Sequence, residues 1–555
     1  MDKEKPWNIY PRPLMKRDSF FSLNGEWDIC ISQTEPRSDS YTQKILVPFP
    51  PESKLSGIER EILPGERLYY RKKFALPKGF AKERVILHFG AVDQVCEVYL
   101  NGTRIGEHEG GYLPFSFDIT DGLTDGENEL RLTVTDELSP IYPYGKQKRK
   151  RGGMWYTPVS GIWQTVWIES TSKDAIRSIK ITPSTESVTI EADTDAKEKK
   201  ITLIYSGETF IFTDNKITVA PKEIHLWSPE NPYIYDFIIE TESDRIESYF
   251  ALRSISIEKH NGIPRICLNG KPYLCSGLLD QGYFPDGIFL PATPEGYADD
   301  IKTAKALGFN MLRKHIKIEP EIFYNLCDRL GILVFQDAVN NSDYSFIRDT
   351  ALPTLGMKSI PDRNLHKNKN SRAVFKEEML GMARHLYSYP SVVYYTVFNE
   401  GWGQFCADEM YETLKSEDST RIIDSTSGWF QRKKSDVVSH HVYFKKLKVK
   451  IDAERPTVIS EFGGYSYRVS GHLFGDKNYG YKTFDTKENF ENAVVSLYEN
   501  EVKPLVDLGV SALVYTQLSD IEDETNGFLT YDRRVLKVDE KRMRKTINSL
   551  TEKTI

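Results

Sequence analysis

Two glutamates stand where an apolar run gives way to turn-forming residues. Glu400 closes Val393-Tyr394-Tyr395-Thr396-Val397-Phe398-Asn399-Glu400, and Glu461 sits in Val458-Ile459-Ser460-Glu461-Phe462-Gly463-Gly464. Two carboxyl groups held at strand ends suit cleavage of a glycosidic bond. One protonates the leaving oxygen while the other attacks the anomeric carbon, and in the retaining mechanism they stand about 5 to 5.5 Å apart. Their surroundings must push the two pKa values apart so that one stays protonated near neutral pH. A single glutamate after a strand more often caps the next helix or makes a surface pair. The chemical reading rests on there being two at matching positions.

The elements that would position them are legible as periodicity. After about residue 256 the chain alternates strand-like and helical segments. Strand candidates fall at 273–277, 310–315, 333–336, 392–399, 421–425, 437–443, 457–462 and 512–517, and helical patterns at 293–307, 319–330, 373–386, 488–508 and 539–550. Eight such repeats in the last 300 residues predict a (β/α)8 TIM barrel, in which chemistry sits at the C-terminal strand ends. Glu400 and Glu461 then close strands four and seven and face each other across the mouth. Upstream, short strand-like runs are split by Asn101-Gly102, Gly110-Gly111 and Asp125-Gly126, residues that tolerate the positive φ of tight turns. They predict a β-sandwich over 1–172, a small immunoglobulin-like sandwich over 173–255, and the barrel over 256–555.

Composition fits this plan and excludes others. A chain of 555 residues is long enough for three or four domains at about 150 residues each. Lys+Arg 73 against Asp+Glu 80 leaves a net charge of −7, which disfavours nucleic acid or an anionic membrane as partner. Nothing approaches the roughly 18 apolar residues needed to span a bilayer. The charged start Met1-Asp2-Lys3-Glu4-Lys5-Pro6-Trp7 lacks the apolar core of a secretory signal. Six scattered cysteines predict free thiols rather than zinc or disulfides. A cytoplasmic protein is expected.

Beyond the residues themselves, Val397-Phe398-Asn399-Glu400-Gly401-Trp402-Gly403-Gln404 resembles the acid/base motif of glycoside hydrolase family 2, the family of β-galactosidases, β-glucuronidases and β-mannosidases. Ser460-Glu461-Phe462-Gly463-Gly464 resembles its nucleophile motif. Leu23-Asn24-Gly25-Glu26-Trp27, Val98-Tyr99-Leu100-Asn101-Gly102, Ser160-Gly161-Ile162-Trp163-Gln164 and Leu226-Trp227-Ser228-Pro229 extend the likeness through both sandwiches. Leu268-Asn269-Gly270-Lys271-Pro272 and Gly308-Phe309-Asn310-Met311-Leu312-Arg313-Lys314-His315 extend it into the barrel. The resemblance implies a galactose-binding-like jelly roll as the first domain, with Glu400 as acid/base and Glu461 as the nucleophile of a covalent glycosyl-enzyme.

It further implies that Asn399 meets the sugar 2-hydroxyl, that Tyr443 touches the nucleophile, and that Asp136 sits on an acidic loop reaching toward the mouth. Arg313 is placed to pair with a carboxylate; His315 and His441 are candidate hydroxyl partners. Asp280, Gln281, Gln336 and Asp337 are further mouth residues by their strand positions. Trp402 and Trp429 are candidate stacking faces for a pyranose, whereas Trp27, Trp155, Trp163 and Trp227 read as packing. The basic run Lys146-Gln147-Lys148-Arg149-Lys150-Arg151 reads as a solvated loop, with attraction of acidic sugars as the functional alternative.

For the glycone, members acting on glucuronides are expected to carry Asn-x-Lys after the eighth strand. This chain has Glu522-Asp523-Glu524-Thr525-Asn526-Gly527-Phe528 there, so a terminal β-galactoside or oligosaccharide is the first expectation and a β-glucuronide the alternative. The stretch Tyr515-Thr516-Gln517 departs from the tryptophan of the well-known β-galactosidases. No organic cofactor is required, and a bound Na⁺ or Mg²⁺ is compatible with the resemblance. The rival from another class is a non-catalytic carbohydrate-binding protein.

Overall fold

The computed structural model describes residues 6–355, 357 and 361–551. The segment 1–5, on which the reading of the chain's start rests, lies outside the described residues. The first sandwich packs a six-stranded antiparallel sheet, centred on Gly25–Ser32, Arg67–Ala75 and Glu127–Thr135, against a four-stranded sheet containing Arg84–Phe89 and Val166–Thr171. Strand alternation puts Trp27, Ile29, Leu68, Tyr70, Leu130, Leu132 and Val134 into one core. Asn101 and Gly102 turn between strands with φ of 50° and 84°, as the sequence anticipates.

A second sandwich pairs a three-stranded sheet (Ser178–Pro183, Val188–Asp193, Lys216–Val219) with a four-stranded one that ends on Tyr235–Glu240 and Arg245–Phe250. Trp227 is packing, as expected, but its packing is against the barrel: the buried indole donates to Asp328 O at 2.8 Å.

Eight parallel strands follow: β1 (Cys275–Asp280), β2 (Met311–Lys314), β3 (Leu333–Asp337), β4 (Val392–Asn399), β5 (Ile422–Ser427), β6 (Val438–Val442), β7 (Thr457–Gly463) and β8 (Val510–Thr516). They pair in the order β5-β4-β3-β2-β1-β8-β7-β6. The β5/β6 seam is joined through side chains: Ser439 Oγ accepts from Gly428 N–H at 3.1 Å and donates to Thr426 O at 3.4 Å. Helices stand near the positions the periodicity predicts, including Glu295–Ala306, Glu321–Leu330 and Lys369–Leu386. The connections 428–437 and 443–456 contain no helix, and Ala407–Glu417 is a helix the pattern did not announce.

Alternation along the strands layers the barrel interior. Cys275, Leu279, Met311, Leu333, Phe335, Val458, Ala512 and Val514 form an apolar floor, with Phe335 stacked on Tyr394 at 4.1 Å. Two residues on from Met311 and from Phe335 come Arg313 and Asp337, so the top layer is charged.

Candidate active site

Arg313 organises that top layer. Only 1% exposed, its guanidinium donates to Asp337 Oδ1 at 3.0 Å, Ser460 O at 2.9 Å, Glu461 Oε1 at 3.1 Å and Asn399 Oδ1 at 2.8 Å. Four acceptors on three strands satisfy a charge that would be prohibitive to bury alone. Glu461 also accepts a bond from the Tyr443 hydroxyl on Oε2. Burial alone would raise its pKa, but His441 and Arg313 hold it down to about 2, so it is ionised at neutral pH.

Glu400 is built differently. It leaves β4 with φ +54°, its N–H bonded to Ser427 O at 3.0 Å. Gly401 follows at φ +77°, where an added Cβ would meet the Phe430 ring at 2.4 Å. A non-glycine in the left-handed region is strained and persists because its surroundings fix it. His441 bridges the two acids: Nδ1 lies 2.7 Å from Glu400 Oε1 and 3.5 Å from Glu461 Oε2, while Nε2 meets Ser427 Oγ at 3.1 Å. Burial raises the Glu400 pKa, and the nearby Glu461 charge adds to the rise against the His441 hydrogen bond. One carboxyl is thus held charged and the other biased toward its proton. A carboxylate oxygen of each and a His441 ring nitrogen all lie within 4.8 Å of one another.

The remaining sequence candidates divide. Asp337 orients Arg313 and also takes His315 Nδ1 at 2.7 Å. Burial and the Lys146 charge hold His315 down to about 4, keeping the ring neutral. Tyr443 stacks on Tyr481 at 3.8 Å and meets Thr516 Oγ1 at 3.0 Å. Trp429 is half-buried, its ring 6.2 Å from His441. Gln281 donates to Gln517 Oε1 at 3.0 Å, and Gln517 in turn donates to Glu524 at 2.8 Å.

Six expectations are corrected. Gln336 is occupied within the scaffold by Tyr324 OH, Lys317 O and Asp337 O at 2.7, 2.8 and 2.9 Å. Asp280 pairs with Lys314 at 2.6 Å and accepts Gly282 N–H at 2.9 Å, an ion pair on the outer side of the strand. Asp136 is buried inside the sandwich, accepting from Leu138 N–H at 2.7 Å and Ser160 Oγ at 2.8 Å, so it does not reach the mouth. Trp402 is 2% exposed, and Trp155 covers one face at 5.4 Å. It is a member of an interdomain stack, and Trp155 is a mouth residue rather than plain sandwich packing. The basic run is not a solvated loop throughout: Lys146 and Gln147 are buried, and Lys146 lies over Trp402 and Tyr156.

Sequence reasoning left Tyr344 and Tyr481 unnamed, took Trp155 as packing, and named Lys146 only within the basic run. Tyr344 meets both Trp155 and Trp402, at 4.8 and 5.7 Å. Each reaches the mouth from a long connection or another domain, where strand counting gives no register; the density of Lys and Arg at 146–151 was the signal present.

Among the described residues, two clusters gather three metal-ligating atoms: Glu400-His441-Glu461 and Glu258-His260-Cys267. The first is the acid pair itself, facing a guanidinium. Neither offers the oxygen-rich set that Mg²⁺ demands. No helix among the described residues is long and apolar enough to cross a membrane.

Comparison with known proteins assigns the domains to a family. Residues 58–180 match the glycosyl hydrolase 2 galactose-binding domain-like model, residues 159–253 the glycosyl hydrolases family 2 model, and residues 292–526 the family 2 TIM barrel domain. A β-galactosidase of Thermoanaerobacter pseudethanolicus is 26% identical over 55% of this chain and 46% of its own length. One of Bacteroides ovatus is 25% identical over 76% and 49%. The chain spans about half the length of these curated relatives. A β-glucuronidase of Streptococcus agalactiae is 24% identical over 71% of this chain and 68% of its own. Among solved structures, a β-glucuronidase from an uncultured Clostridium superposes with a TM-score of 0.76 at 18% identity, covering 98% of this chain and 99% of that one. A β-galacturonidase of Eisenbergiella tayi bound to galacturonate gives 0.70 at 18%, covering 98% and 99%. These two likenesses show the fold. With its three domains matched in sequence order, the chain belongs to glycoside hydrolase family 2.

Proposed function

We propose that the site hydrolyses a terminal β-linked sugar with retention, by double displacement. The supporting observation is the acid pair: oxygens within 4.8 Å, one carboxyl held ionised and the other pushed toward its proton. An inverting pair would leave about 6.5 to 9.5 Å for a water. Glu461 attacks the anomeric carbon as the bond to the leaving oxygen breaks and Glu400 delivers its proton there. Glu400, now a base, takes a proton from water as that oxygen attacks the same carbon and frees Glu461. Arg313 and Tyr443 hold Glu461 oriented. Asn399, its Oδ1 taken by Arg313, keeps its NH2 for the sugar 2-hydroxyl, a contact that strengthens in the transition state. No cofactor enters these steps.

For the glycone, the names of the curated relatives support a β-galactoside. Free carboxylates at Glu522 and Glu524 would repel an acidic sugar, yet both are engaged. Glu522 accepts Thr157 N–H at 2.9 Å and faces Arg151 at 3.7 Å; Glu524 accepts Tyr156 OH at 2.9 Å. Burial also raises both pKa values. A second reading, a β-hexuronoside, is favoured by Lys146. Six unpaired cysteines, four of them buried, support a reducing, cytoplasmic setting.

Nitrophenyl β-galactoside, glucuronide, galacturonide, mannoside and glucoside, offered to the wild type and to Glu461→Gln, test the reaction. Turnover of at least one substrate by the wild type and none by the variant is expected. Equal rates would remove Glu461 from the chemistry, and no cleavage of any substrate would favour the carbohydrate-binding rival.

A further inference from the structure

Lys146 takes no part in the double displacement, yet it is a fixed charge at the mouth. Its carbonyl accepts Tyr156 N–H at 3.0 Å, and the N–H groups of Tyr144 and Gly145 both reach Asn340 O beyond β3, at 3.1 and 3.4 Å. The Tyr144 hydroxyl donates to Ser342 O at 2.6 Å. Gly145 has φ +62°, and a Cβ there would stand 2.9 Å from Ile316 O. The sandwich loop is therefore clamped to the barrel, and the side chain projects from a determined backbone.

That side chain is 9% exposed, with its ammonium 5.6 Å from the ring centres of both Tyr156 and Trp402. Among the described residues no carboxylate oxygen lies within 4.0 Å of it, and it makes no hydrogen bond. Aromatic faces compensate a buried cation only in part. The nearby acids have other partners: Glu524 holds Tyr156 and Gln517 at 2.9 and 2.8 Å, Glu522 holds Thr157 and Arg151, and Glu400 and Glu461 hold His441, Arg313 and Tyr443. Lys148, exposed on the rim with its ammonium 4.9 Å from the Trp155 ring, adds a second positive charge on the approach.

We infer that Lys146 selects the glycone, and that the glycone carries a carboxylate: the substrate is a β-linked hexuronic acid whose anion completes the Lys146 ammonium. A neutral hydroxyl would leave the ammonium with no carboxylate in direct contact, only the more distant carboxyls of Glu524 and Glu400, which have other partners. A phosphate dianion would leave negative charge over, beside Glu461. One ammonium matches one carboxylate. This rests on the reaction proposed for the same site.

The experiment compares kcat/KM for nitrophenyl β-galacturonide and β-glucuronide with the matching galactoside, glucoside and galactoside 6-phosphate, in the wild type, Lys146→Gln and Lys146→Arg. Calorimetric binding of free galacturonate and galactose to the wild type and Lys146→Gln runs beside it. The wild type is expected to prefer a hexuronide over its hexoside by at least about 30-fold, the scale of a desolvated charge pair. Lys146→Gln should collapse that ratio by at least tenfold, and Lys146→Arg should restore part of it. Preference for a hexoside or the 6-phosphate, or an equal fall on all substrates in Lys146→Gln, overturns the inference while leaving the reaction standing. If no glycoside is cleaved, Lys146-dependent binding of galacturonate sustains the inference without the reaction, and its absence overturns both.

Discussion

At the residue scale, two glutamates of one chemical type are made unlike by their surroundings. Glu461 receives a guanidinium and a phenol, whereas Glu400 receives burial, a neighbouring negative charge and one imidazole contact. The consequence is a specific pH profile. Glu461 is ionised down to about 2, so it does not set an acid limb in the working range. If Glu400 is the acid, the alkaline limb of kcat/KM should report its loss of a proton and lie above the ordinary carboxylate value of about 4.3. With a phenyl glycoside, whose leaving group needs an acid, Glu400→Ala should abolish that limb, and with a dinitrophenyl glycoside, whose leaving group needs none, added azide should raise the variant's rate. An unchanged limb in the variant would remove Glu400 as the acid. Both glutamates were legible in the sequence because each sits in a motif at a strand end. Asp136 was misplaced because its sandwich loop is built on Leu138 N–H and Ser160 Oγ, contacts no local pattern encodes.

At the element scale, strand ends and the turns after them decide where these groups point. Periodicity predicted all eight strands, since apolar alternation marks them, but it could not assign a face to each residue near the end. Gln336 and Asp280 read as mouth residues and serve the scaffold, whereas their neighbours Asp337 and Gln281 join the mouth network. The helix-free connections 428–437 and 443–456 were also beyond a repeat count. The turn after β5 carries a test. Gly428 has φ +82°, and an added Cβ would stand 2.2 Å from the His441 ring. Gly428→Ala should shift His441 off Glu400 and lower kcat by about 10²-fold, the cost of misplacing a catalytic contact by about 1 Å. Circular dichroism should remain that of the wild type. Normal kcat in a folded variant would mean that the bridge between the acids does not matter.

At the scale of the whole molecule, the domains are joined by ion pairs as well as by packing. Glu169, 1% exposed in the first sandwich, accepts from Arg12 at 2.6 Å, Arg17 at 3.2 Å and Trp167 Nε1 at 2.8 Å. Arg17 continues to Asp244 of the second sandwich at 2.9 Å. Burial opposes ionisation of Glu169, but Arg12, His88 and Arg17 hold its pKa down to about 2. A folded value below the unfolded value of about 4.3 gives stability that is present above that value and lost as pH falls toward 2. The amount is about 3 kcal/mol. Thermal stability should therefore fall between about pH 5 and pH 2, and Glu169→Gln should be less stable at neutral pH with a flatter dependence in that window. A variant with the wild-type curve would show that the junction does not contribute. The three-domain plan was legible from turn spacing and periodicity. The lysine and tryptophan that the first sandwich lends to the mouth were not, because domain docking has no sequence period.

The central claim, that Glu461 becomes covalently glycosylated, is tested most directly by peptide mass mapping after incubation with 2-deoxy-2-fluoro β-glycosyl fluorides of hexose and hexuronic acid. The account predicts a single glycosyl adduct on the peptide containing Ser460-Glu461-Phe462, formed as activity is lost. An adduct on another residue, or undiminished turnover with no adduct, would contradict it.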